Sequence, residues 1–92
     1  MNKQDILNTI TQGAKELKIL SIVYIEKDGS NEGPRLVEPY SIRDKDTDKE
    51  GFFAFDIAKG GIRRFIVSSD KILSVEITNQ TFTPRNGWTV EF

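Results

Sequence analysis

Apolar residues near the start of the chain recur with the spacing of an amphipathic helix. Ile6, Ile10 and Ala14 follow one another at four-residue intervals, which places them on one side of a helix with 3.6 residues per turn. Asn2 stands where the N-cap of such a helix is expected. The pattern predicts a helix over residues 3–17 that packs its apolar side against the rest of the domain.

After the helix, the apolar residues alternate with polar ones, as is typical of strands. Segments rich in glycine, aspartate and asparagine separate the alternating stretches and predict turns between them. Pro39 lacks a backbone N–H and therefore belongs at an edge or a bulge of its strand. In the last strand, Leu73, Val75 and Ile77 are expected to share one face. The predicted strands cover residues 18–26, 35–43, 52–57, 62–67 and 72–78.

Residues 79–92 are less regular, and an Asn-Gly pair followed by an alternation of Trp88, Val90 and Phe92 predicts either a tail or a terminal hairpin. Short antiparallel strands connected by tight turns usually curl, because curling removes exposed sheet edges. We therefore expect one mainly β domain over residues 1–92. Its strands should form a small five-stranded antiparallel barrel over residues 18–78, preceded by the N-terminal helix.

Composition narrows the possible functions. A chain of 92 residues forms one domain, and 37% apolar with 29% charged residues is typical of a globular protein. The net charge of −1 excludes a uniformly basic nucleic-acid-binding protein, so any anion site must come from local clustering.

The residue types available for chemistry are also limited. The chain has no cysteine and no histidine, which removes disulfides, thiolate nucleophiles, the usual zinc ligands and the commonest general base. The acidic loop over residues 44–50 lacks the glycine and the final glutamate of a calcium loop. We expect neither catalysis nor a metal or cofactor.

No apolar segment approaches the length needed to span a bilayer, and the N-terminus lacks the apolar region of a secretion signal. The expectation is a cytoplasmic protein without a membrane partner.

The stretch IRRFIV, residues 62–67, places two arginines among strand-forming residues. Arg63 and Phe65 share one face of a strand, because alternate side chains point to the same side. A guanidinium group binds phosphate through two parallel hydrogen bonds, and an aromatic ring stacks on a base. The pair therefore fits a nucleotide. It equally fits a core phenylalanine beside an arginine at the barrel rim, and both interpretations stay open.

Three segments together resemble one family: LKILSIVYIEKDGS, RLVEPYSI and AFDIAKGGIRRFIVSSDKILSVEI. They are similar to the WYL domain family, small Sm-like β-barrels that are often fused to winged-helix repressors in bacteria. The resemblance covers roughly residues 6–83. The tripeptide that names the family is absent and would fall on residues 50–52 or 52–54. The second basic residue of the family motif would fall on Ser69, whereas here the basic residue is Lys71.

The resemblance implies a non-enzymatic, ligand-binding regulatory module. Such a module would recognise single-stranded nucleic acid or a nucleotide-like anion through a basic and aromatic face. Arg35, Tyr40, Arg63 and Phe65 match the motif positions, and Lys71 matches by type but not by spacing. No helix-turn-helix segment accompanies the barrel. The expected role is therefore regulation, such as transcription regulation in a bacterium or phage, through a partner or a ligand.

A different class of function remains open beside this one. The near-neutral charge and the apolar tail GWTVEF fit a protein-interaction or self-assembly module without a small ligand. A strand-like tail can add to the edge of another sheet, so a homo-oligomer or a complex with a partner protein is the alternative.

Overall fold

A computed structural model describes residues 1–92 as one helix followed by five strands. The expected mainly β fold is confirmed, since all five strands pair antiparallel in a single sheet. The elements are α1 (Lys3–Lys15), β1 (Lys18–Tyr24), β2 (Arg35–Arg43), β3 (Gly51–Asp56), β4 (Gly61–Ile66) and β5 (Ile72–Thr81).

Helix α1 begins and ends for local reasons. The side chain of Asn2 accepts a hydrogen bond from the Asp5 N–H at 2.8 Å, which makes it the N-cap. Ile6 and Ile10 are fully buried against the sheet. The helix ends at Lys15, two residues before the predicted end, because Leu17 adopts a left-handed φ of 53° and leads the chain into β1.

The strand order is β4-β3-β2-β1-β5, and no ladder joins β4 to β5. The sheet nevertheless curls strongly. In a flat sheet β1 and β4 would lie about 14 Å apart, yet the ring centroids of Tyr24 and Phe65 are 4.9 Å apart. The Ile66 N–H also donates to the Tyr24 hydroxyl at 2.9 Å. The strands therefore form a partly open barrel.

The core fills the inside of the curled sheet and the space beneath α1. Every strand contributes side chains to it, as expected when a sheet folds around one interior. The central cluster comprises Ile6, Ile10, Leu20, Ile22, Tyr24, Val37, Ile42, Phe52, Ala54, Phe65, Val67, Ile72 and Val75.

A bulge interrupts β2 next to Pro39, so of the two placements that the proline allowed, an edge or a bulge, the structure shows the bulge. Pro39 pairs with Ala54 and Ser41 pairs with Phe53, so Tyr40 is the extra residue.

A second irregularity, in β5, changes which of its side chains face the core. Tyr24 pairs with Ile72 and Val23 with Ser74, so Leu73 has no partner of its own. Leu73 is consequently 45% exposed, and Ile72 takes the buried position beside Val75. The prediction for Leu73 was wrong, because the extra residue shifts the alternation by one.

Residues 82–92 form no hairpin and instead run back across β2. The Glu91 N–H donates to the Tyr40 carbonyl at 2.8 Å, and Glu91 makes a parallel bridge with Ser41. The backbone of the tail is thus bonded to the chain's own sheet at this point. No helix in the structure combines the length and the apolar character that crossing a membrane requires.

Candidate functional site

Arg35 lies at the start of β2 and is almost completely buried, with 5% of its side chain exposed. Its guanidinium group contacts Glu26 and lies 3.5 Å from Asp56 Oδ2. Its Cζ atom is 5.5 Å from the centre of the Phe65 ring. The Nε and Nη1 atoms are buried and make no hydrogen bond. The positive charge of Arg35 is therefore balanced by two carboxylates, while two of its nitrogens donate no hydrogen bond.

Arg63 on β4 approaches the same carboxylate from the surface. Its Nη2 donates to Glu26 Oε1 at 3.2 Å, and one third of its side chain is exposed. Glu26 follows the end of β1, so three parts of the sheet meet here. We name Arg35, Arg63 and Glu26 the arginine cluster.

A polar cleft of about 380 Å³ adjoins the arginine cluster. Three cations and three carboxylates line it: Lys27, Lys59, Arg63, Glu26, Asp28 and Glu32. Lys59 Nζ lies 2.9 Å from Glu32 Oε2, and its hydrogen bond is the main cause that lowers the pKa of Glu32. The cleft is electrically balanced, so it gains a positive potential only when a carboxylate moves away.

The structure places Phe65 in the core. Its side chain is fully buried, edge-on to Tyr24 and 5.9 Å from the Phe52 ring. A buried ring has no free face on which a base could stack. Phe65 instead forms an aromatic surface beneath the Arg35 guanidinium group.

Tyr40 lies apart from the arginine cluster, beneath the C-terminal segment. Its hydroxyl donates to Glu38 Oε1 at 2.8 Å and accepts from the Arg85 N–H at 3.2 Å. Its ring packs against Phe82 and Trp88, at centroid distances of 5.7 and 5.1 Å. Burial raises the pKa of Tyr40. The structure therefore does not bring Tyr40 together with Arg35 and Arg63.

Lys71 lies in the turn before β5. Its carbonyl accepts from the Ile25 N–H at 2.8 Å, which places the Lys71 backbone one residue from Glu26. Its half-buried side chain makes no ion pair within 4.0 Å. The extra length of the turn thus leaves the Lys71 backbone near the arginine cluster, although Lys71 does not line the polar cleft.

The acidic partners in this region were missed by the sequence analysis. Asp56 is fully buried, and its Oδ1 accepts from the Lys59 N–H at 3.2 Å while its Oδ2 faces Arg35. The sequence did contain one indication of Asp56, because the predicted strand that includes AFD carries a charged residue near its end. Nothing in the alternation pattern singles out Glu26, because its role depends on two strands that are distant in sequence.

Arg64, the neighbour of Arg63, points to the other side of β4. It donates to the Lys49 carbonyl and lies 3.9 Å from Asp44 Oδ2. Its guanidinium group covers Gly51 so closely that a Cβ atom at Gly51 would clash with it. Arg63 and Arg64 thus lie on opposite faces of β4 and contact different parts of the chain.

The fold and the arginine cluster define a small, partly open β-barrel with a buried, charge-compensated arginine near one loop. No protein-family model matches the chain, and the search of curated proteins returned no match.

Among solved structures, the fold is similar to part of proteasome accessory factor B/C (PafBC) of Arthrobacter aurescens, with a TM-score of 0.74 and 24% sequence identity. The similarity covers 86% of this chain and 12% of that one. The matched region is therefore only a small part of PafBC. At this level of identity the likeness establishes the fold alone.

Proposed function

We propose that this chain is a non-enzymatic regulatory module of the WYL type, which binds single-stranded nucleic acid or a nucleotide-like anion at the arginine cluster. The observation that carries the proposal is the buried Arg35 guanidinium group. It keeps two nitrogens without hydrogen bonds and shares one carboxylate with the partly exposed Arg63. The similarity to a protein whose name denotes an accessory factor supports a regulatory role.

Glu26 occupies the position that a ligand phosphate would take. Carboxylate and phosphate oxygens accept the same pairs of hydrogen bonds from a guanidinium group. Glu26 follows the end of β1 and retains 20% side-chain exposure, so it can swing outward without breaking a strand ladder. The ligand anion then replaces an internal anion, and the buried charge of Arg35 stays compensated.

The five candidate residues take different parts in this proposal. Arg63 contacts the ligand, since it is the exposed arginine of the cluster. Arg35 supplies the second guanidinium group from below, and Phe65 holds it in place. Lys71 adds positive charge at the margin. Tyr40 lies beneath the C-terminal segment and has no part in this site.

The test is a fluorescence-anisotropy titration with short labelled single strands, both DNA and RNA, at two salt concentrations. Wild-type protein should bind at low salt and weaken with a log–log slope of about −0.7 per phosphate contact. Arg63→Gln should weaken binding about tenfold, because one charge-assisted contact is lost. Glu26→Gln should strengthen binding, because the competing carboxylate charge is removed.

Matched controls are Lys45→Gln and Glu76→Gln, which change the same charges at exposed positions without ion-pair partners within 4.0 Å. Equal binding by wild type and Arg63→Gln would exclude the arginine cluster as the site. Flat titrations at about tens of micromolar protein, with strands and with mononucleotides, would exclude the function itself.

A further inference from the structure

A second cleft lies where the C-terminal segment runs alongside β2, β3 and β4. It has a volume of about 460 Å³ and shares no residue with the arginine cluster. Three aromatic residues, Tyr40, Phe53 and Trp88, are among those that line it, together with Ile62 and Arg43. The cleft thus combines aromatic surface with one cation.

Trp88 is held in place although 39% of it is exposed. Its ring lies edge-on to Tyr40 and 5.9 Å from the Phe55 ring. Just before it in sequence, Arg85 stacks on Phe55 at 3.5 Å and makes two hydrogen bonds of 3.1 Å to Glu38. This anchor fixes the chain on the sheet before the turn that leads to Trp88, so the ring is held between these contacts with part of its surface open.

Arg43 differs from the other four arginines of the chain, each of which has a carboxylate oxygen within 4.0 Å. Arg43 has none, and its only side-chain hydrogen bond is a long one of 3.5 Å from Nε to Ser41 Oγ. The two terminal nitrogens of its guanidinium group are therefore available to an anion. This free group is exposed at the end of β2, and it lines the cleft that contains the exposed tryptophan.

We propose that this cleft binds a nucleotide unit, with the base stacked against Trp88 and the phosphate bound by Arg43. Bases stack on aromatic side chains whatever their sequence, and guanidinium groups bind phosphate through paired hydrogen bonds. The exposed Ile62 provides an apolar wall. The proposal extends the function proposed above to a second surface but depends on none of the residues of the arginine cluster.

Glu91 is the one carboxylate that lines the cleft. It accepts a hydrogen bond from Thr89 Oγ1 at 3.0 Å. Its charge repels a phosphate, so the phosphate should lie on the Arg43 side of the cleft. Binding should weaken with added salt, because salt screens the attraction between Arg43 and the phosphate.

Trp88 is the only tryptophan of the chain, so its fluorescence reports on this cleft alone. The experiment titrates the protein with adenosine monophosphate, adenosine, inorganic phosphate and short oligo-deoxyadenylates. Free tryptophan amide is titrated in parallel to correct for absorption by the base. Adenosine monophosphate should quench saturably, adenosine more weakly, and phosphate not at all. Affinity that rises with oligonucleotide length indicates a strand as the ligand, whereas constant affinity indicates a mononucleotide.

Two variants separate this site from the arginine cluster. Arg43→Gln should weaken adenosine monophosphate about tenfold and leave adenosine unchanged, because only the phosphate contact is lost. Arg63→Gln should leave the quenching unchanged while it weakens strand binding in the anisotropy experiment. Lys45→Gln is the control for a general loss of positive charge.

Three results would overturn the proposal. The first is the absence of quenching by every probe up to about millimolar concentration. The second is quenching by adenosine monophosphate that Arg43→Gln does not weaken. The third is a concentration-dependent dimer in sedimentation that Trp88→Ala abolishes, which would make the cleft a protein interface.

Discussion

Tyr40 shows how burial changes the chemistry of a single side chain. Its hydroxyl is enclosed by the C-terminal segment and donates to Glu38. Loss of solvation is the main cause that raises the pKa of Tyr40 above its ordinary value near 10. The Arg85 N–H opposes this shift by stabilising the ionised form, whereas the hydrogen bond to Glu38 adds to it.

The shift predicts a loss of stability at high pH. A pKa raised on folding means that the folded state holds the proton more tightly. The resulting stability is present below the unfolded pKa near 10 and is lost as pH rises through the folded pKa. Urea unfolding at several pH values above about 9 should show this fall in wild type and a smaller one in Tyr40→Phe. Parallel pH dependences in the two proteins would contradict the prediction.

Arg63 and Phe65 show that residue type alone does not decide whether a side chain is buried or available to a ligand. Their shared strand face was predicted from alternation, and the two interpretations of Phe65 were equally consistent with it. Phe65 is a core residue, since its side chain is fully buried inside the curled sheet. No local pattern contains that information, because it depends on how far β4 approaches β1.

Among the elements, α1 depends on a glycine for its close contact with the sheet. Gly13 is buried, and a Cβ atom there would clash with Leu20 Cδ2 of β1 and lie 3.5 Å from Ile77 Cγ1 of β5. Glycine has a low helix propensity, yet the missing side chain of Gly13 is what allows α1 to lie this close to the sheet.

Gly13→Ala should destabilise the domain despite the better helix propensity of alanine. The propensity gain is about 1 kcal/mol, whereas forcing an extra carbon into a packed core costs about 1–3 kcal/mol. We expect a net loss of about 1 kcal/mol in the unfolding free energy, measured by urea denaturation. The exposed Asn8→Ala in the same helix is the control, and it should be neutral or slightly stabilising. A Gly13→Ala protein more stable than wild type would show that the helix can move away.

The strands themselves were predicted well because alternation is a local property. All five predicted strands exist, and β2 spans the predicted residues. Pro39 indicated an edge or a bulge because it lacks an N–H. The bulge at Leu73 carries no such indication, since it arises from how β1 pairs with β5.

For the whole molecule, Arg35 connects segments that are far apart in sequence. It contacts Glu26 after β1, Asp56 at the end of β3 and the Phe65 ring on β4. Removing its charge leaves the buried Asp56 without a counterion, and such a loss costs more than the original pair contributes.

Arg35→Met should therefore lower the unfolding free energy by about 3–5 kcal/mol. Arg63→Gln, which is a third exposed, should lower it by no more than about 1 kcal/mol. Addition of Asp56→Asn to Arg35→Met should restore part of the stability, since it removes the orphaned carboxylate. Denaturant unfolding of the four proteins measures these differences. A loss below about 1 kcal/mol for Arg35→Met would mean that water or another side chain compensates Asp56.

The sequence by itself determined the helix, the strands, their antiparallel pairing and the chemical types in the candidate site, because these follow from spacing and local backbone preference. The tertiary structure decided which arginines are buried, which carboxylates compensate them and where the tail packs. It also placed the unpaired Arg43 and the exposed Trp88 along the same cleft. Those features depend on contacts between residues that lie far apart along the chain, and such contacts exist only once the sheet has curled.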